Sequence, residues 1–162
     1  MNSGKISIIT AVYNNRFQVE QALYSLRQQT YPNIEHILVD GRSTDGTTEY
    51  LRSQLDRKTL LISEPDQGIY DALNKGIDLA TGDVVGFLHS DDLLAHPESI
   101  FLIAEEFKKK SVEAIYGDLL YVEQKNPEKI IRYWQSGEYH LSKLRNGWMP
   151  PHPTFYMKKN KL

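Results

Sequence analysis

The chain is 162 residues long, contains no cysteine, and sets 19 Lys and Arg against 21 Asp and Glu, for a formal charge of −2 with 40% hydrophobic residues. Such a length and apolar content support one domain with its own core, so a single unit over residues 1–162 is expected. The near balance of charge leaves no field to hold a polyanion, which argues against nucleic acid as a partner, and the lack of cysteine excludes a disulfide framework and a thiolate zinc site.

After the polar start Met1-Asn2-Ser3-Gly4-Lys5, residues 6–12 form a near-continuous apolar run, as expected of a strand covered on both faces. The run is far too short to span a bilayer and has no small-residue cleavage site, which predicts a soluble, cytoplasmic protein. Val19, Ala22, Leu23 and Leu26 follow at i, i+3, i+4 and i+7, the buried stripe of a helix. Residues 34–40 read as a second strand ending on the carboxylate of Asp40. Ser43, Thr44 and Asp45 then suit the start of a short helix burying Leu51 and Leu55.

A third strand is expected at 59–63, and Ile69, Ala72, Leu73, Ile77 and Ala80 supply the next helical stripe, which Gly82 ends. Residues 83–88 read as a fourth strand running straight into His89-Ser90-Asp91-Asp92. Pro97 suits the first turn of a helix carrying Ile100, Ile103, Ala104 and Phe107. Residues 114–122 and 129–134 read as a strand pair around the polar turn 124–128, and a Gly-Trp-Met-Pro-Pro breaker at 147–151 precedes a strand-like stretch at 154–157. Strands alternating with helices predict an α/β fold on a mainly parallel sheet. Residues 155–162 read as the start of a further element, so the chain is expected to be the N-terminal piece of a longer domain. Lys108, Lys109 and Lys110, and Lys158, Lys159 and Lys161, are basic clusters that suit either a solvated surface or peripheral contact with anionic lipid.

In an open α/β sheet, ligands bind beyond the carboxyl ends of the strands. The residues there are Thr10, Ala11, Tyr13, Asn14 and Asn15 after strand one, Asp40 after strand two, Glu64, Asp66, Gln67 and Gly68 after strand three, and Ser90, Asp91 and Asp92 after strand four. Carboxylates gathered on one edge repel unless a cation sits among them, and oxygen ligands select a hard ion such as Mg²⁺ or Mn²⁺. The plain alternative is that Asp91-Asp92 caps a turn. The phosphate loop G-x-x-x-x-G-K-[ST], the dinucleotide fingerprint G-x-G-x-x-G and the nucleophile elbow G-x-S-x-G are all absent, so a phosphate site here would rely on metal.

Five blocks in order, Ser7 to Asn14, Leu38 to Thr47, Asp66 to Gly76, Ala80 to Asp83 and His89 to Asp92, resemble the family 2 glycosyltransferases of the GT-A fold. The resemblance covers essentially the whole chain and is firmest over residues 5–95. It implies a Rossmann-like α/β/α sandwich and a nucleoside-diphosphate-sugar donor. By the same resemblance Thr10, Ala11, Tyr13 and Asp40 form the nucleoside pocket, with Tyr13 packing on the base unless it is a core aromatic. Asp66, Gly68, Asp71, Asn74 and Lys75 border the diphosphate, although the helical residues among them could face solvent. Asp91 and Asp92 bind ribose and the divalent metal, Asp92 above all. His152, in Pro150-Pro151-His152-Pro153, resembles a late His near the diphosphate that ligates metal or phosphate, or else serves only packing.

Two departures stand out. Many family members read Asp-Asp-Gly-Ser where this chain reads Asp40-Gly41-Arg42-Ser43, so one carboxylate is missing. The general base of such enzymes lies downstream of the Pro-His segment, and it is expected beyond Leu162. The resemblance implies inverting sugar transfer to the hydroxyl of a saccharide or lipid-linked saccharide in bacterial surface polysaccharide assembly. A catalytically inactive nucleotide-binding module and a sugar-nucleotide nucleotidyltransferase are the alternatives; the latter calls for a basic glycine-rich loop that Thr10 to Asn15 lacks.

Overall fold

The computed structural model describes residues 4–109 and 111–162. The first three residues of the polar start and Lys110 of the first basic cluster lie outside the described residues. Strand β1 (Ile6–Val12) is buried along its full length, and β2 (Ile34–Asp40) is buried from His36 onward. β1 pairs in parallel with β2 on one side and with β4 (Val84–Phe87) on the other, and β2 pairs in parallel with β3 (Thr59–Ser63).

Side chains alternate across the sheet with period two, and the core divides accordingly. Ile6 and Ile8 pack with Ala22 and Leu26 of helix α1 (Gln18–Arg27) and with Ile100 and Ala104 of α4 (Ser99–Lys109). Val12 and Leu38 meet Val19 and Leu23 of α1 and Leu51 of α2 (Thr47–Ser53). On the other face Ile9, Ala11, Ile37 and Val39 meet Ala72 of α3 (Ile69–Leu79). The result is the expected α/β/α sandwich, and the four buried residues of α1 are those of its predicted stripe. Burying Val19, Leu23 and Leu26 is worth about 1.5–3 kcal/mol each before entropy is counted.

Several expectations need correction. Leu55 is exposed, because α2 ends at Ser53, before the helix reaches it. The residue capping α2 is Gly46, in the left-handed conformation, while Asp45 accepts from the Thr47 amide and hydroxyl at 3.0 and 2.5 Å. Ile69 is half exposed, at the very start of α3. That helix stops at Ala80, and Gly82 is required two residues later for a different reason: a Cβ there would stand 2.8 Å from both the Lys5 carbonyl and the Ser7 amide of β1.

The stretch 114–122 is two strands. β5 (Ala114–Ile115) belongs to the main sheet, whereas β6 (Leu119–Glu123) pairs with β7 (Asn126–Trp134) as a separate antiparallel hairpin. A short helix α5 (Leu141–Arg145) follows, and Trp148 packs between Tyr116 and Tyr139 with ring centroids 5.8 and 6.4 Å away. β8 (Tyr156–Lys158) then inserts antiparallel between β4 and β5, completing the order β3-β2-β1-β4-β8-β5. The insertion demands Gly86, since a Cβ there would fall within the Tyr156 ring. The basic clusters are partly satisfied inside the chain, with Lys108 and Lys109 paired to Glu105 and Lys161 to Glu113. No helix among the described residues is long and apolar enough to cross a membrane.

Candidate functional site

Because β1 to β4 are parallel and adjacent, the loops that leave their carboxyl ends gather on one rim. Side chains sew these loops together. Asn14, held at φ 48°, donates its amide to Ser43 Oγ at 2.9 Å and accepts the Thr44 amide on Oδ1 at 2.8 Å. Asn15 accepts no less of this work: its amide reaches Thr47 Oγ1 at 3.2 Å, and its Nδ2 donates to Ser90 Oγ at 2.9 Å, tying the loop after β1 to the loop after β4.

Asp40 lies beneath this rim with no exposed surface. Its carboxylate accepts from Ser43 Oγ at 2.5 Å, from Thr48 Oγ1 at 2.6 Å and from Ser63 Oγ at 2.6 Å, and also takes the Ser43 amide. One buried anion thus locks the ends of β2, β3 and α2. A base N–H would have to displace one of these donors, so the geometry gives Asp40 a bracing role in place of the direct contact implied by the resemblance. Thr10 is also buried, on the α1 face, with Oγ1 3.0 Å from His36 Nε2. Ala11 lies in the core on the α3 face. Neither side chain reaches the rim.

Tyr13 does reach it. At 63% exposure it is no core aromatic, and its ring lies over Gly41. A Cβ on residue 41 would stand 2.5 Å from Asp66 Oδ2 and 3.2 Å from Tyr13 Cδ2. The missing second carboxylate of the Asp-Gly-Arg-Ser stretch is therefore replaced in space by Asp66, which Gly41 admits by having no side chain. Arg42 adopts φ 63°, a left-handed conformation that glycine takes at less cost.

Asp71 and Lys75 are engaged with their own loop. Lys75 Nζ contacts Glu64 at 3.0 Å, Asp71 at 3.3 Å and the Pro65 carbonyl at 2.8 Å, while Asp71 accepts the Gln67 amide at 3.0 Å. Glu64 foremost, with Asp71, raises the Lys75 pKa, and the Gln67 amide with Lys75 lowers that of Asp71. The pair fixes the turn in which Gly68 takes φ 113°. Asn74 is exposed on α3.

The loop after β4 carries the strongest electrostatic signal. Asp91 is exposed and Asp92 half buried. Burial, and then repulsion from Asp91, push the Asp92 carboxyl up to about 6, with His152 partly opposing them. Among the described residues nothing donates a hydrogen bond to that carboxylate. A desolvated acid beside a second acid, without donors, is stabilised by a cation, so the residues fit a divalent ion. Among the described residues no three His, Asp or Glu side chains form a group that could hold a metal ion by themselves. Asp91 and His152 are the neighbours that act on the Asp92 carboxyl.

His89 was not singled out by the sequence. It is 9% exposed, both ring nitrogens are buried without a partner, and its ring packs edge to face on His152 at 5.1 Å between centroids. Its carbonyl accepts the Asp92 amide at 3.0 Å, which folds the loop back over it. Burial first, and then His152, lower its pKa, so the ring is neutral near pH 7. Its position at the head of the polar block was visible in the sequence, but its contact with His152, 63 positions on, was not. A cavity of about 660 Å³ between Ile6, Val84, Phe107 and Lys159 lies at the amino ends of β1 and β4, away from these groups.

Comparison with known proteins bears on this rim. The model of the glycosyl transferase family 2 matches residues 7–162. An uncharacterized glycosyltransferase of Mycobacterium tuberculosis is 37% identical over 114 residues, covering 69% of this chain and 44% of that protein. A PGL/p-HBAD biosynthesis glycosyltransferase of Mycobacterium bovis is 33% identical over 124 residues, covering 74% and 48%. The chain thus spans less than half the length of these curated relatives. Among solved structures, the mannosyltransferase PcManGT from Pyrobaculum calidifontis, in complex with GDP-Man and Mn²⁺, superposes with a TM-score of 0.66 at 26% identity, over 72% of this chain and 36% of that one. S. aureus TarS 1–349 with UDP-GlcNAc superposes at 0.71 over 96% of this chain and 45% of that one; at 20% identity that likeness speaks for the fold alone.

Proposed function

The chain belongs to the glycosyl transferase family 2, and on that premise we propose that it forms the donor-binding part of a metal-dependent enzyme that moves a sugar from a nucleoside diphosphate to an acceptor hydroxyl. The observation that carries the reading is the Asp91-Asp92 pair on a rim shared with Tyr13 and Asp66, with Asp92 desolvated and lacking a protein donor. Tyr13 offers an exposed ring for the base, and the loop of Asp66 and Gly68 borders the nucleotide. Thr10 and Asp40 act from beneath: one is paired to His36, the other holds Ser43, Thr48 and Ser63. Asp71 and Lys75 brace the turn before α3.

Mg²⁺ or Mn²⁺, held by Asp92 with Asp91 and His152, would supply positive charge where the leaving diphosphate develops negative charge. The Mn²⁺ and GDP-Man bound by PcManGT support this reading. Inversion at the sugar carbon, a saccharide or lipid-linked acceptor, and a role in surface polysaccharide or glycolipid assembly follow from family membership as parts of the same proposal. The biosynthetic relative from Mycobacterium bovis supports the last of these.

Calorimetric titration with UDP and GDP, with and without Mn²⁺, tests the site. Binding should strengthen when the metal is present, and Asp92→Asn should remove that metal dependence while leaving the circular dichroism spectrum unchanged. Metal-dependent binding that survives Asp92→Asn would refute the assignment. A parallel donor-hydrolysis assay separates a working transferase from an inactive nucleotide-binding module.

A further inference from the structure

We infer that Asp66 selects the nucleobase of the donor: the free oxygen of its carboxylate reads a single ring N–H, which makes the donor a uridine nucleotide. The inference rests on the nucleotide-sugar site proposed above and deepens it. Asp40, at the end of β2, has no exposed surface and is engaged with Ser43, Thr48 and Ser63. Position 41 carries no side chain. The point that a Cβ of residue 41 would occupy lies 2.5 Å from Asp66 Oδ2 and 3.2 Å from Tyr13 Cδ2, so this oxygen and the exposed ring meet over one glycine.

The two oxygens of Asp66 differ. Oδ1 accepts the Gly68 amide at 2.9 Å, a local bond of the turn before α3. Oδ2 has neither a donor nor a cation among the described residues, although the side chain is half buried. The turn explains Oδ1 and leaves Oδ2 without a role. Tyr13 alone does not choose between bases, because every base offers a face to pack on a ring. An ionised carboxylate accepts and never donates, so Oδ2 selects an N–H. Adenine and cytosine have no ring N–H on the pairing edge. Guanine sets N1–H beside its amino group, a pair that fits both oxygens of a carboxylate together, whereas uracil offers N3–H alone between two carbonyls. With Oδ1 committed to Gly68, the free oxygen matches uracil.

Calorimetric titration of the chain with UDP, GDP and the 5′-diphosphate of 3-methyluridine, each with Mn²⁺ present, tests this. The methyl group removes the N–H and keeps the rest of the nucleotide. UDP should bind about tenfold more tightly than either of the others, since a hydrogen bond to a charged group is worth roughly that factor or more. Asp66→Asn keeps an oxygen for the Gly68 amide and sets an amino group over Gly41, so its UDP affinity should fall about tenfold with the circular dichroism spectrum unchanged. Asp66→Ala leaves room for the methyl group and should bind UDP and the methylated analogue within about twofold of each other. A variant that weakens both nucleotides equally and keeps the gap between them would leave Asp66 a turn residue and overturn the inference. Equal binding of UDP and its methylated analogue by the native chain, or a preference for GDP, would overturn it too. In each of those cases nucleotide binding persists and the donor-site reading stands. If none of the three nucleotides binds, that reading fails and the inference falls with it.

Discussion

Acid should destabilise this protein through His36. The ring is 6% exposed, burial above all lowers its pKa to about 4 from an ordinary 6.5, and Asp56 and Arg27 act on it weakly in opposite senses. The unfolded chain binds a proton at His36 between those two values and the folded chain does not. Stability is therefore complete above about pH 6.5 and is lost as pH falls toward about 4. Linkage over that window gives a loss of about 2 kcal/mol between roughly pH 7.5 and pH 5, and about 3 kcal/mol by pH 4. Against a total of about 5–15 kcal/mol this is a large share. Urea unfolding followed by circular dichroism at several pH values reads it directly, with His36→Gln as the comparison, since an amide can still meet the Thr10 hydroxyl. The variant should start less stable at neutral pH and show a slope shallower by about 2 kcal/mol across the same range. Parallel curves for the two proteins would refute the reasoning.

Other outcomes follow from single contacts. Asp40→Ala removes the anion shared by Ser43, Thr48 and Ser63 and leaves their hydroxyls beneath the rim, so a loss of about 3–5 kcal/mol is expected in the same urea assay. Gly86→Ala drives a methyl into the Tyr156 ring and should displace β8, costing about 1–3 kcal/mol or more and speeding proteolysis near the C-terminus. Unchanged melting in either variant would contradict the packing described.

The first half of the fold was legible because its signals are local. Short, mostly apolar runs set the bounds of β1, β2 and β3, and the spacing of Val19, Ala22, Leu23 and Leu26 gave the buried face of α1. The second half was less legible because β5 pairs with β8 across more than forty positions, and the Gly117-Asp118 break between β5 and β6 does not say that the two strands join different sheets. The candidate site divides in the same way. The strand-end carboxylates could be read in order, but which of them face outward could not. Asp40 turned inward because three hydroxyls surround it, Asp66 turned toward the position above Gly41, and His89 came against His152.

The placement of β8 has a consequence for variation in this protein. Ile115 and Tyr156 are sheet partners, so everything from residue 116 to 155 leaves and returns at neighbouring points. Lengthening, shortening or reshaping the hairpin and α5 need not disturb the strands that carry the carboxylates. The two ends are constrained, because Thr154 is bonded to Gly117 and the turn that re-enters the sheet brings His152 against His89. Change can therefore accumulate on the outer part of this excursion while its last few residues stay fixed, so that the shape of this surface can diverge without altering how the His152 ring meets His89.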